Sequence, residues 1–122
     1  ALKRFIESKY LHQTVLLNDS GQHELFEDLD LALETREKTG AWRVHFHVPI
    51  FADRLGVIST TQGAIEECLD VLDDDIPPLE VETYAWDVLP KNLVSLKMSE
   101  GIAKEMKWLQ ALVQAKKHGG HD

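Results

Sequence analysis

The segment WRVHFHVPI, residues 42–50, alternates apolar with basic side chains up to Val48. A period of two residues is typical of a β-strand, whose successive side chains point to opposite faces of a sheet. The pattern therefore predicts a strand over about 42–48 with two chemically different faces. Most strands present Lys, Thr, Glu or Ser to solvent, so imidazoles in these positions make the polar face a candidate functional surface. One face carries Val44, Phe46 and Val48, and the other carries Arg43, His45 and His47.

A second alternating segment, LEVETYAW, covers residues 79–86 and predicts another strand. Its polar side carries carboxylates where the first segment carries imidazoles. Neighbouring strands would bring the two kinds of side chain to a shared space, and a divalent metal site or an acid–base site needs both. One side holds Val81, Thr83 and Ala85, and the other holds Glu80, Glu82, Tyr84 and Trp86.

Strands and helices alternate along the predicted chain, which is typical of an α/β fold built from parallel strands and crossover helices. A closed barrel of such units takes about 250 residues, whereas this chain has 122. We therefore expect a single partial domain, 1–122, that holds the last two to three βα units and lacks the N-terminal strands. A smaller layered α/β structure is the alternative. The predicted strands are 9–17, 42–48 and 79–86, and the predicted helices are 22–38, about 60–73 and about 99–117.

Composition narrows the possible functions. A net charge of −8, from 21 acidic and 13 basic residues, argues against nucleic acid or an anionic membrane as a partner, because both bind clustered Lys and Arg. The longest apolar runs are far shorter than the roughly 20 residues of a membrane span. A chain with a single cysteine, Cys68, cannot form an internal disulfide. Cys68 is expected on the buried face of a helix. These features predict a cytoplasmic protein.

Three segments carry a family resemblance. WRVHFHVPIF and LEVETYAWDVLP resemble the last two strands of the metabolite traffic protein EboE family, and FIESKYLHQTV resembles the segment before them. That bacterial family is a branch of the xylose-isomerase-like, apurinic-endonuclease-like TIM barrels. The resemblance implies metabolite handling or export by a metal-dependent sugar-phosphate isomerase or epimerase. The alternatives are a non-catalytic metabolite-binding barrel and a small α/β interaction domain.

The resemblance also implies roles for individual residues. VHFH (44–47) is similar to a histidine-bearing strand of the superfamily, and PLEVET (78–83) is similar to its last strand. This implies a divalent metal (Zn, Mn or Mg) on His45 and Glu82, with Glu82 and His47 as catalytic groups. Partners would be a small metabolite or sugar phosphate, and either the missing N-terminal strands or further copies of the chain. Substrate-binding residues would be Arg43, Tyr84, Trp86 and His12.

Other interpretations of these residues stay open. A histidine and a glutamate can satisfy each other by a hydrogen bond without any metal, and Glu80 could pair with Arg43. Tyr84 and Trp86 could fill the interior. The segment DRLG (53–56) resembles a shortened part of the endonuclease branch but lacks its ligand histidine, which speaks against a trinuclear zinc site and DNA repair.

Overall fold

The structure, a computed structural model, shows a mixed α/β chain that divides into two compact units, Ala1–Phe46 and His47–Asp122. The first unit holds a sheet of three short strands and one helix, and the second holds a two-stranded hairpin and two longer helices. The residues that the structure describes are 1–35, 39–72, 75–83, 86–90 and 96–119.

The sheet of the first unit has β1 (Thr14–Leu17) at its centre, between β2 (His23–Phe26) and β3 (Ala41–Val44). Both strand pairs are antiparallel. The parallel arrangement predicted from the alternation of elements is therefore wrong for these strands. For β1 and β2 the physical reason is their short connection, because a parallel pair needs a crossover of a dozen or more residues. For β1 and β3 the reason is that β2 reverses the direction of the chain before α1 leads into β3.

Asn18 forms the tight turn between β1 and β2. Its side-chain oxygen accepts hydrogen bonds from the backbone N–H groups of Ser20 at 3.0 Å and Gln22 at 2.9 Å. Its backbone carbonyl also accepts from the N–H of Gly21 at 3.0 Å. An Asn side chain that bonds the backbone ahead of it favours a turn over a helix, so the chain reverses here and β2 pairs with β1.

The core of the first unit lies on one face of this sheet. Thr14 and Leu16 are fully buried on that face, because alternate residues of a strand share a side. Phe46, two residues beyond β3, stacks on Phe5 with ring centroids 4.5 Å apart. A short helix, α1 (Leu29–Glu34), belongs to the same unit, and its first residue, Leu29, is also fully buried.

Residues 22–38, predicted as one helix, form β2 and then α1. Asp28 separates the two elements: it has an extended backbone and its side chain accepts a hydrogen bond from the N–H of Leu29 at 2.8 Å, as a helix N-cap does. The predicted helix end at Lys38 lies outside the described residues. The strand predicted over 42–48 is confirmed over 42–44, and the N–H of His45 continues the ladder by donating to the carbonyl of Gln13 at 2.9 Å.

The second unit contains the hairpin β4 (Arg54–Leu55) and β5 (Ile58–Ser59), followed by α2 (Gln62–Leu72) and α3 (Met98–Gly119). Both helices were predicted. An ion pair between Lys116 and Asp70 joins α3 to α2. Short 3-10 helices lie at Leu2–Phe5 in the first unit and at Trp86–Val88 in the second.

The buried faces of α2 and α3 differ in part from the predicted ones. Leu69 is buried, but Cys68 is exposed, so the predicted core position of Cys68 is wrong. Met106 follows Ile102 by four residues, a spacing that favours one helix face, yet it is 51% exposed. The helical period locates a face only to within neighbouring positions, and in α3 the neighbouring residue Glu105 is buried.

The second predicted strand does not form in the part of the segment that the structure describes. Residues 79–83 are neither strand nor helix, and Trp86 begins a 3-10 helix, while Tyr84 and Ala85 lie outside the described residues. Pro77 and Pro78 precede the segment and have no backbone N–H to donate to a ladder. Residues 79–83 therefore have the alternating pattern of a strand but are not paired as one.

Candidate functional site

The candidate site is the contact between His47 and Glu82 in the second unit. The Nδ1 atom of His47 lies 2.9 Å from the Oε2 atom of Glu82. The His47 side chain is about two-thirds buried, with 30% of its surface exposed, whereas Glu82 is 66% exposed. The histidine of one predicted segment and the carboxylate of the other thus meet at hydrogen-bond distance. The histidine in this contact is His47, whereas the resemblance implied a metal on His45 and Glu82.

This contact bears on the tautomer of the neutral imidazole. An ionised carboxylate only accepts hydrogen bonds, so a hydrogen bond at this contact would place the proton of a neutral imidazole on Nδ1 of His47. The Nε2 atom then holds the lone pair and becomes the basic nitrogen. Enzymes use such a carboxylate–imidazole pair to orient either a metal ligand or a general base. The arrangement can therefore accept a proton at a defined atom.

The other residues of the first predicted strand belong to the first unit. Arg43 and His45 are both exposed there. Arg43 lies beside Val15 in the register of β1 and β3, on the face of the sheet that is turned away from the core. The alternation in the sequence thus correctly separated a covered face from a polar one, but the polar face meets solvent.

The structure describes no complete ligand set for the predicted metal. Among the described residues, no group of three or more His, Cys, Asp or Glu side chains is placed to hold a metal ion. A protein zinc site takes at least three protein ligands, whereas His47 and Glu82 are two groups in contact with each other. We derive no chemical step through a metal.

His12, predicted to bind substrate, is buried in the first unit with 6% of its surface exposed. Its Nε2 atom lies 3.6 Å from Glu7 Oε1, and its Nδ1 atom lies 3.6 Å from Asp28 Oδ1. The imidazole also packs against Phe46 at a centroid distance of 5.2 Å. A side chain enclosed in this way supports the packing of the first unit, and a substrate would have to open that packing to reach it.

Trp86, also predicted to bind substrate, is hydrogen-bonded within the second unit. Its indole Nε1–H donates to Oε2 of Glu105 at 3.1 Å, and the N–H of Ile50 donates to Oε1 of the same carboxylate at 3.0 Å. The indole ring packs directly over Gly101, where any Cβ atom would overlap it. Tyr84 lies outside the described residues.

Glu105 is a residue that the sequence reasoning missed. Only 3% of the Glu105 surface is exposed. Glutamate is almost never buried in this way unless it has a partner. The signal was present in the sequence: Glu105 follows Ile102 by three residues and precedes Leu109 by four, so it interrupts the apolar stripe of α3. A carboxylate in such a position has to be hydrogen-bonded, and here it joins α3 to Ile50 and Trp86.

Burial makes the stability of the fold depend on the charge of Glu105. The pKa of this carboxyl is raised above its ordinary value of 4.5, mainly because burial disfavours the charged form. The hydrogen bonds from Ile50 and Trp86 lower the pKa, but their effect is smaller than that of burial. The folded state therefore binds the proton more tightly than the unfolded state. The resulting stabilisation is present at low pH and is lost as the pH rises above 4.5 through the raised pKa.

We expect this contribution to be visible as a slope in urea unfolding measured at a series of pH values. In the Glu105→Gln variant, which cannot ionise at this position, the decrease of the unfolding free energy with rising pH should be smaller than in the wild type. Only the slopes are compared, because the amide also changes the hydrogen bonds. Superimposable slopes would show that Glu105 has the same proton affinity in both states.

Comparison of the chain with protein-family models, with curated proteins and with solved structures gave no match. Within the part of the chain that the structure describes, no helix is both long enough and apolar enough to cross a membrane. The resemblance to the EboE family stays a prediction from three sequence segments. The functional conclusion therefore depends on the geometry of His47 and Glu82.

Proposed function

We propose that this chain contributes an acid–base site to a protein that isomerises or epimerises a small metabolite such as a sugar phosphate. The observation that carries this proposal is the 2.9 Å contact between His47 Nδ1 and Glu82 Oε2. It leaves the basic nitrogen of the imidazole at a defined position on a partly exposed side chain. The EboE-type resemblance supports the same reaction class independently of this geometry.

In this proposal His47 is the general base and Glu82 is its positioning residue. The Nε2 atom takes the proton from a substrate carbon next to a carbonyl group, and the electron pair of that C–H bond moves toward the carbonyl oxygen to form an enediolate. The resulting imidazolium is stabilised by the Glu82 carboxylate. Return of the proton to the neighbouring carbon, while the hydroxyl proton on the first carbon moves to the former carbonyl oxygen, completes an isomerisation. Delivery of a solvent proton to the opposite face of the same carbon, while the imidazolium releases its proton to solvent, completes an epimerisation.

The proposal does not require the other predicted features. The xylose-isomerase-like barrel and the metal on His45 and Glu82 remain predictions from the sequence. The antiparallel pairing of β1, β2 and β3 gives the barrel no support, and the described donors give the metal none. What supports the acid–base site is the meeting of an imidazole with a carboxylate from a distant part of the chain.

The proposal is tested with deuterium oxide as solvent and a panel of aldose and ketose phosphates as substrates. We expect solvent deuterium to enter the substrate carbon. His47→Gln should slow this exchange by about 10²- to 10⁴-fold, as loss of a general base does, and Glu82→Gln by about 10- to 100-fold. Glu80→Gln is the matched control, because Glu80 is an exposed carboxylate two residues away, and it should leave the rate unchanged.

Two results would contradict the proposal. One is exchange that is equally fast in wild type, His47→Gln and Glu82→Gln. The other is a ¹⁵N NMR spectrum in which the neutral His47 carries its proton on Nε2 instead of Nδ1. Binding of a sugar phosphate, detected by shifts of the His47 ring signals, without any exchange would favour the non-catalytic metabolite-binding protein.

A further inference from the structure

The sheet of the first unit has a second face, opposite its core. It holds the two residues of β1 that alternate with the buried residues of that strand, together with the residues of β2 and β3 that are paired with those two. We call this surface the outer sheet face. It consists of Val15 and Leu17 from β1, His23 and Leu25 from β2, and Ala41 and Arg43 from β3.

The outer sheet face is apolar at its centre. Leu25 lies beside Val15 in the register, and 72% of its surface is exposed. Val15 and Leu17 are half-buried, while Ala41 is exposed. An antiparallel sheet that faces water on one side normally alternates apolar-in with polar-out. A contiguous apolar surface with polar residues at its edge marks an interaction site rather than a solvated face.

The ionisable residues of the outer sheet face are one arginine and one histidine. Arg43 lies on one edge strand and His23 on the other, and both are exposed. All residues of this face are described, and none of them is a carboxylate, although the whole chain has 21 acidic residues against 13 basic ones. Glu24 of β2 is paired with the buried Leu16 and lies on the other face. The charge of this face is therefore opposite in sign to that of the chain.

The dimensions of the face fit one α-helix. Three strands about 4.8 Å apart span about 10 Å, which matches the diameter of a helix with its side chains. Strands of four residues are about 13 Å long, enough for two to three helical turns. A helix packed on one face of an antiparallel sheet is also one of the stable layer arrangements of protein domains.

We propose that the outer sheet face docks an amphipathic helix of a partner protein, with an apolar stripe against Val15, Leu17 and Leu25 and a carboxylate against Arg43. Charge complementarity favours this occupant, because an Asp or Glu beside the apolar stripe of a helix can pair with Arg43, and the face carries no carboxylate. The proposal assigns Arg43 to a protein carboxylate instead of a substrate. It is independent of the acid–base site, since it uses no residue of the second unit.

The probe is a synthetic 18-residue helical peptide with leucines at i, i+3, i+4 and i+7 and flanking glutamates, titrated into the ¹⁵N-labelled full chain. The control peptide has lysines in place of the glutamates. We expect the acidic peptide to shift the backbone amides of β1, β2 and β3, and the basic peptide to bind at least tenfold more weakly. Leu25→Gln should weaken the acidic peptide about tenfold or more, because a central apolar anchor is lost, and Arg43→Gln several-fold.

Glu24→Gln is the matched control, because it changes β2 on the opposite face and should leave the affinity within twofold of the wild type. His47→Gln should also leave it unchanged, which separates this proposal from the acid–base site. Equal binding of the acidic and basic peptides, shifts confined to the second unit, or an equal effect of Glu24→Gln and Leu25→Gln would overturn the proposal. Self-association of the wild type that Leu25→Gln abolishes would overturn it in favour of a second copy of the chain.

Discussion

Replacing Gly40 by alanine is expected to destabilise the first unit by about 3 kcal/mol. Gly40 immediately precedes β3 and has a φ of +101°, a backbone conformation that L-residues adopt only with strain. A Cβ atom there would overlap the backbone carbonyl oxygen of Leu17. That carbonyl belongs to the central strand, where Leu17 pairs with Ala41. The clash cannot be relieved by a side-chain rotation, so β3 has to separate from β1.

Gly21→Ala is the control for this variant. Gly21 also has a positive φ, +77°, but no atom lies within 4 Å of the position that its Cβ would take. Alanine there should cost only the backbone strain, about 1 kcal/mol. Both variants are measured by urea unfolding and by amide hydrogen exchange in β1. If the two substitutions cost the same, the close approach of Gly40 to Leu17 does not exist in solution.

Replacing Glu105 by alanine is expected to lower the free energy of unfolding of the second unit by roughly 3 kcal/mol. The substitution leaves two donors without their acceptor, the backbone N–H of Ile50 and the indole N–H of Trp86. Each unsatisfied buried donor costs about 1–3 kcal/mol, and the missing side chain also leaves a void in contact with α3. The indole proton signal of Trp86 should move toward its position in the unfolded chain.

Lys107→Ala is the control, because Lys107 is exposed on the same helix, and we expect it to change stability by less than about 0.5 kcal/mol. A double-mutant cycle of Glu105→Ala with Trp86→Phe separates the two donors. If the indole hydrogen bond matters, the two single costs should not add. Strict additivity would mean that Glu105 and Trp86 do not interact, contrary to the 3.1 Å contact.

The local patterns were predictable where a short-range rule decides the structure. The alternation around Val44 reports which side chains share a face, and a strand obeys it whatever its partners are. Helix α2 begins where the sequence indicates, after Thr60, whose side-chain oxygen accepts a hydrogen bond from the N–H of Gln62 at 3.4 Å. Helix α3 begins at Met98, one residue before the predicted start at about 99, and the Glu100 side chain accepts a hydrogen bond from the N–H of Lys97.

The predictions that failed needed knowledge of contacts between distant residues. The apolar spacing in 22–38 is typical of a helix. Asn18 nevertheless reverses the chain, and residues 23–26 pair with β1 as a strand. Residues 79–83 alternate like a strand, yet the described part of the segment has no strand beside it. Backbone hydrogen bonds in a sheet come from other segments, so an alternating pattern by itself does not make a strand.

The candidate site shows the same division. The sequence by itself determined that imidazoles occur on one alternating segment and carboxylates on another, because the residue types and their period are local properties. Only the tertiary structure decided that His47 meets Glu82 while Arg43 and His45 are exposed on the first unit. The reason is that a contact between residues 47 and 82 of the chain depends on where the backbone turns, and no spacing rule reports that.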